Sequence, residues 1–242
     1  MNLIIDAGNT RVKVAVFEND TVFELLVIDK RKILSEIKKI LKEYNITSGI
    51  LSSVSFISEK TLEKLQNLVQ LTILSSSTSV PFSNLYKTPT TLGVDRIALA
   101  ASAVYNFPEK NTLIIDAGTC ITFDFVNSES QYLGGAISPG IKMRFDALNY
   151  FTAKLPLLEK EEVNSFIGGN TKESMNSGVV NGVIQEIEGV INQYKKKYTD
   201  LTVVLTGGDT NFLSKQLKSS IFANQNFLLQ GLNRILIFNI DK

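Results

Sequence analysis

Histidine is absent from all 242 residues. That gap excludes Ser-His-Asp and Cys-His catalysis and any histidine-ligated metal site. A general base must then be a carboxylate, a lysine, a tyrosine or the lone thiol. Cysteine is nearly absent too: Cys120 has no second thiol with which to form an intrachain disulfide, which fits a reducing compartment. Neither sign of charge is in excess, with 25 Lys and Arg against 24 Asp and Glu, so the basic surplus of a nucleic-acid-binding domain is missing. Lys195-Lys196-Lys197 is a basic run in an expected helix and reads as its solvated end. No apolar stretch reaches the ~18 residues of a membrane span. Met1-Asn2-Leu3-Ile4-Ile5-Asp6 has no basic region and meets a carboxylate at once, unlike a secretory signal. The expectation is a cytoplasmic protein that engages neither nucleic acid nor membrane.

What is present begins with an ordinary globular balance, 44% hydrophobic and 20% charged residues, enough for one large domain or two small ones. The most informative feature is a repeat. Leu3-Ile4-Ile5-Asp6-Ala7-Gly8 recurs letter for letter as Leu113-Ile114-Ile115-Asp116-Ala117-Gly118. Threonine follows each copy, Thr10 in the first and Thr119 in the second, and then a second β-rich stretch, Val12–Phe17 and Ile121–Val126. An apolar run, an Asp-x-Gly turn and another apolar run make a β-hairpin. Identical letters at equivalent places in two halves of similar length point to a duplicated unit.

Between the hairpins, helices and strands alternate. Ile33, Leu34, Ile37, Ile40, Leu41 and Tyr44 share one helical face. Ile50-Leu51 and Leu71–Leu74 read as strands around a helix carrying Leu62, Leu65 and Leu68, and a helix is expected from Gly93 to about Asn106. In the second half, Tyr132–Ile137 reads as a strand and Pro139-Gly140 introduces a helix through Ala147. One long helix is expected over Thr171–Lys197, then a buried strand at Leu201–Leu205. Pro108 and nearby charges interrupt the pattern, so the halves are expected at 1–108 and 109–242, each an α/β unit with a mixed sheet and flanking helices.

The hairpin tips suit phosphate. Gly8 and Gly118 carry no Cβ to keep an anion from the backbone, and successive turn amides form an anion-binding concavity. Thr10 and Thr119 add hydroxyls, and Lys13 adds positive charge. Asp6 and Asp116 repel phosphate but suit a cation, and Mg²⁺ takes one or two carboxylates with water and phosphate oxygens. Thr206-Gly207-Gly208-Asp209, after a buried strand and before a helix, is a third candidate nucleotide-contacting turn.

Together, Asp6-x-Gly8-Asn9-Thr10, Gly93-Val94-Asp95-Arg96, Asp116-Ala117-Gly118-Thr119 and Thr206-Gly207-Gly208-Asp209 resemble the signature set of the type III pantothenate kinases. The turns alone mark the wider actin-like ATPase superfold, with two similar ribonuclease H-like domains. The Gly-x-Asp-Arg motif preceded by Tyr86-x-x-Pro89-x-x-Leu92 singles out the pantothenate kinases. The resemblance implies ATP-dependent phosphorylation of pantothenate to 4'-phosphopantothenate, opening coenzyme A synthesis. It implies that Asp6, Ala7, Gly8, Asn9, Thr10, Arg11, Val12 and Lys13 form the first phosphate segment, that Thr119 contacts ATP from the second, and that Gly207 and Gly208 contact its adenosine. Asp95 is the implied base, and Tyr86, Gly93, Val94, Asp95, Arg96 and Thr171 the implied substrate site. Asp116 is implied to bind K⁺ or NH₄⁺, with Asp6 serving Mg²⁺, directly or through water, and a homodimer is the implied assembly.

The residues fit those roles on chemical grounds. Phosphoryl transfer asks for positioning, charge neutralisation and a carboxylate to take the alcohol proton, and Arg96 offers a planar fork for a substrate carboxylate. Two other readings share the fold: another small-molecule kinase or a phosphatase, which has no need of the Tyr86–Arg96 segment, and a nucleotide-switched accessory protein, which has no need of a base beside a substrate fork.

Overall fold

The computed structural model describes residues 1–8, 11–54 and 57–240. The chain divides into two compact units: Met1–Pro108 with Ser130–Leu133 and Asn226–Lys242, and Glu109–Glu129 with Gly134–Gln225.

Unit 1 opens with β1 (Asn2–Ala7), β2 (Val12–Glu18) and β3 (Thr21–Ile28). Next come α1 (Ile33–Glu43), β4 (Ser48–Ser53), α2 (Glu59–Gln66), β5 (Gln70–Ile73), β6 (Ser83–Asn84) and α3 (Val94–Asn106). The sheet order is β3-β2-β1-β4-β5. Leu3, Ile4 and Ile5 are all fully buried, because β1 lies mid-sheet and is covered on both faces. Ile33, Ile37 and Ile40 of α1 bury in the same cluster as Leu3 and Ile5. Ser58 caps α2, its hydroxyl accepting from the Thr61 amide at 3.3 Å.

Unit 2 holds β7 (Asn111–Ala117), β8 (Cys120–Val126), β9 (Gln131–Pro139) and α4 (Ile141–Phe151). After them come α5 (Thr171–Asn176), α6 (Gly182–Lys197), β10 (Leu201–Thr206), α7 (Thr210–Leu213) and β11 (Phe222–Ala223). Its strands run β9-β8-β7-β10-β11, the arrangement of the first sheet repeated. Gln131 and Tyr132, at the start of β9, group with unit 1 and pair there with β6.

The repeated hexapeptides occupy equivalent central strands. Asp6 faces Lys13 across the β1–β2 hairpin, and Asp116 faces Thr122 across β7–β8. On the parallel side Asp6 lies beside Ser52 of β4, and Asp116 beside Thr206 of β10.

The last helix, α8 (Phe227–Ile240), returns to unit 1 and packs on α3. Buried Asn233 donates to the Asn19 carbonyl at 2.7 Å and accepts from Asn2 at 2.9 Å. Arg234 lies over the Tyr105 ring, 3.3 Å from its centre, and pairs with Asp20. The halves expected from the sequence, 1–108 and 109–242, thus differ from the compact units at 130–133 and 226–242.

The single helix expected over Thr171–Lys197 is interrupted by a wider π turn at Ser177–Asn181. Met175, Val179, Val183, Ile187 and Ile191 are all buried at steps of four. Steps of four drift by ~40° each on a 3.6-residue turn, and the π turn absorbs part of that drift. Among the described residues no helix is long and apolar enough to cross a membrane.

Candidate active site

In unit 1 two of the expected segments come together. Asp6 ends β1 with Lys13 opposite it. Burial pushes the Asp6 carboxyl from its ordinary 3.8 up to about 6; Lys13 pulls it down and the charge of Asp95 pushes it further up. That repulsion puts the first hairpin and the Gly93–Arg96 turn, far apart in sequence, within electrostatic reach of one another. A Cβ on Gly8 would stand 3.3 Å from the Arg11 carbonyl oxygen. Arg11 is exposed, Val12 is buried beside Ala7, and Asn9 and Thr10 lie outside the described residues.

Gly93 is the N-cap of α3, with Val94 and Asp95 in its first turn. The Asp95 carboxylate turns back, its Oδ1 accepting from the Arg96 amide at 2.8 Å, which satisfies one of the helix's orphan donors. That oxygen fills the space a Cβ on Gly93 would need. Arg96 is only 5% exposed, and its guanidinium stands 5.7 Å from the centre of the Tyr86 ring. Tyr86 in turn lies 6.2 Å from the buried Tyr132 ring. From Tyr86 to Gly93 the chain makes a 3₁₀ turn at Pro89–Thr91 and buries Leu92.

In unit 2 the second and third turns meet because β10 pairs with β7 in the register Thr206 to Asp116. Gly207 has φ +95°, and a Cβ there would collide with Asp116 Oδ1 and the Ala117 carbonyl. Only glycine fits both the left-handed backbone and that approach. The Asp209 amide donates to the Ala117 carbonyl at 2.9 Å, tying the glycine turn to the hairpin. Thr119 and Gly208 are exposed. Cys120 is half-buried at the start of β8.

Thr171 also belongs to unit 2. It is exposed at the start of α5, beside a groove of about 900 Å³ bordered by Leu148, Phe151, Leu155, Met175 and Val179. Two features escaped sequence reasoning. Nothing in the letters shows that Asp95 needs Gly93 for room, although their adjacency in the motif was visible. Lys160, which pairs with Asp209, sits in a stretch without periodicity and gives no signal. Among the described residues no group of three or more His, Cys, Asp or Glu is placed to hold a metal.

The duplicated sheets, with their matching acidic hairpin turns, define the fold of the actin-like ATPases and sugar kinases. Glucokinase from an Antarctic psychrotroph, 12% identical, aligns over 98% of both chains with a TM-score of 0.55. A Campylobacter jejuni protein described as a Baf family transcriptional activator, 20% identical, aligns over 99% of this chain and 100% of its own with a TM-score of 0.67. At such identities the likeness carries the fold alone. A model of the type III pantothenate kinases matches residues 2–193. The type III pantothenate kinase of Christiangramia forsetii is 49% identical over 243 residues, covering 99% of each chain. The chain belongs to the type III pantothenate kinase family.

Proposed function

We propose that this enzyme transfers the terminal phosphoryl group of ATP to the primary hydroxyl of pantothenate, giving 4'-phosphopantothenate and ADP, the first step of coenzyme A synthesis. Family membership carries the reaction. The observation that carries its chemistry is the Gly93–Arg96 turn, where a carboxylate at a helix start stands next to a buried guanidinium.

In this reading Asp95 accepts the hydroxyl proton as the alcohol oxygen attacks the γ-phosphorus. The bond from that phosphorus to the β–γ bridging oxygen breaks, and ADP leaves. Arg96 holds the pantothenate carboxylate through its planar fork, with Tyr86 below and the Gly93-Val94 backbone alongside. The Asp6–Lys13 segment and Thr119 hold the phosphates, and Gly207 and Gly208 receive the adenosine. Thr171 contacts the substrate. The apolar groove beside it supports a homodimer, since Tyr150 and Phe151 are 81% and 80% exposed at the end of α4. A single free cysteine fits the cytoplasm.

The side chains fit the expected cations. Asp6 is a partly buried carboxyl at the end of β1, and one such carboxylate with water and phosphate oxygens suits Mg²⁺. Asp116 Oδ1 and the Ala117 carbonyl both crowd Gly207, and paired oxygens of this kind suit K⁺ or NH₄⁺. Such cations supply neutralisation of the charge on the transferring phosphoryl group.

A coupled assay of ADP release, with pantothenate and ATP varied and K⁺ present or absent, tests the reading. ADP release that requires pantothenate and rises with K⁺ supports it. Release at the same rate without pantothenate contradicts it.

A further inference from the structure

Residues 152–170, between α4 and α5, contain no helix or strand. So long a connection inside a compact unit is uncommon unless it has a task. Most of its anchors join it to the neighbouring α5 and π turn: Glu161 pairs with Lys172 at 2.7 Å, the Glu161 amide donates to Asn176 at 3.2 Å, and Ser177 donates to the Phe166 carbonyl at 2.7 Å. Lys160 reaches elsewhere. Its ammonium pairs with Asp209 and stands 5.3 Å from the centre of the Phe212 ring. Both partners follow β10, in the turn Thr206–Asp209 and in α7.

This pairing has an electrostatic consequence. The Asp209 side chain is 15% exposed and its amide is tied to Ala117 next to Asp116, so its charge is poorly screened. A bare carboxylate there would repel the polyanionic nucleotide that the turn is read as receiving. Lys160 cancels that charge, and the Phe212 ring face favours the cation at that spot.

We infer that Lys160 is a positioning residue for the nucleotide, acting through Asp209: it neutralises the glycine turn and fastens the 152–170 strap to it, so that an anionic donor is admitted. The inference rests on the reading of Gly207 and Gly208 as the nucleotide's turn.

The test uses steady-state kinetics of the full chain with ATP varied at saturating pantothenate. Lys160→Met is expected to raise the KM for ATP on the order of tenfold, more at low salt, with no matching rise in the KM for pantothenate. The double variant Lys160→Met/Asp209→Asn, which removes both charges, is expected to recover most of that loss. An unaltered KM for ATP in Lys160→Met overturns the inference, as does a double variant no better than the single one. Should Lys160→Met fail to fold, Asp209→Asn alone decides: a KM for ATP at or below wild type supports the inference, and a rise overturns it. Gly208→Val separates this from the reading beneath it, because nothing lies within 4 Å of a Cβ at Gly208. If Gly208→Val raises the KM for ATP and Lys160→Met does not, the inference alone fails. If neither changes it, the turn does not receive the nucleotide.

Discussion

The Asp95 carboxylate occupies the space that a side chain on Gly93 would need. The glycine therefore makes room for the proposed base, and the helix cap and the chemistry share one turn. The Arg96 amide holds that carboxylate from the helix side.

Replacing Gly93 with alanine should displace that carboxylate with little change in the fold, because Gly93 has φ −58°, which alanine tolerates. A misplacement of about 1 Å costs on the order of 100-fold in rate. We expect kcat to fall by roughly that factor while the melting temperature shifts by a few degrees at most. A variant with wild-type kcat would show that the carboxylate's position is not critical.

Arg96→Lys should act mainly on pantothenate. Lysine keeps a charge but loses the planar fork that takes a carboxylate through two parallel bonds. The KM for pantothenate is expected to rise on the order of tenfold, the loss of one charge-assisted hydrogen bond. An unchanged KM would remove Arg96 from the substrate site.

Asp6 predicts a pH-dependent stability. Its carboxyl is raised from 3.8 to about 6 in the folded chain, so between those values the folded state binds the proton more tightly than the unfolded state. Stability is therefore greatest below the unfolded value and falls as pH rises through about 6. Asp6→Asn should stabilise the metal-free protein at pH 7.5 by up to roughly 3 kcal/mol and make little difference at pH 4. Thermal melts of both proteins at the two pH values check this. A variant less stable than wild type at pH 7.5 would contradict the buried-charge account.

Asp116→Ala should blunt activation by K⁺. Rates measured across a KCl titration, with choline chloride holding ionic strength constant, are expected to flatten in the variant. A full K⁺ response would place the monovalent cation elsewhere.

Much of this architecture was legible in the letters. The repeat around Asp6 and Asp116 marks the central strand of each sheet because both copies meet the same demand: apolar on both faces, then a carboxylate at the tip. The first sheet's edge was harder to read. In β3, Phe23 and Val27 are 58% and 51% exposed, so the alternation that marks a half-buried strand carries apolar residues on its outer face as well. Helix α8 was missed for the opposite reason. Phe227, Leu229, Leu232, Ile235 and Leu236 are buried around much of its circumference, which leaves only a narrow polar stripe, Gln230, Asn233 and Arg234, to give a period. Its packing on α3, through Arg234 over Tyr105, and its tie to the β2–β3 turn, through Asn233 and the Asn19 carbonyl, are long-range facts that no local pattern encodes. The Gly93–Arg96 motif is visible as a motif, but the steric reason for its glycine, the Asp95 carboxylate folded back over it, exists only in the folded chain.

The central claim is that Asp95 takes the proton from the acceptor alcohol. It is tested most directly by following the labelled γ-phosphate of ATP into phosphopantothenate with wild type and Asp95→Asn side by side. The account predicts labelled product from wild type and a rate at least on the order of 100-fold lower from the folded variant. Transfer by Asp95→Asn at the wild-type rate would contradict it.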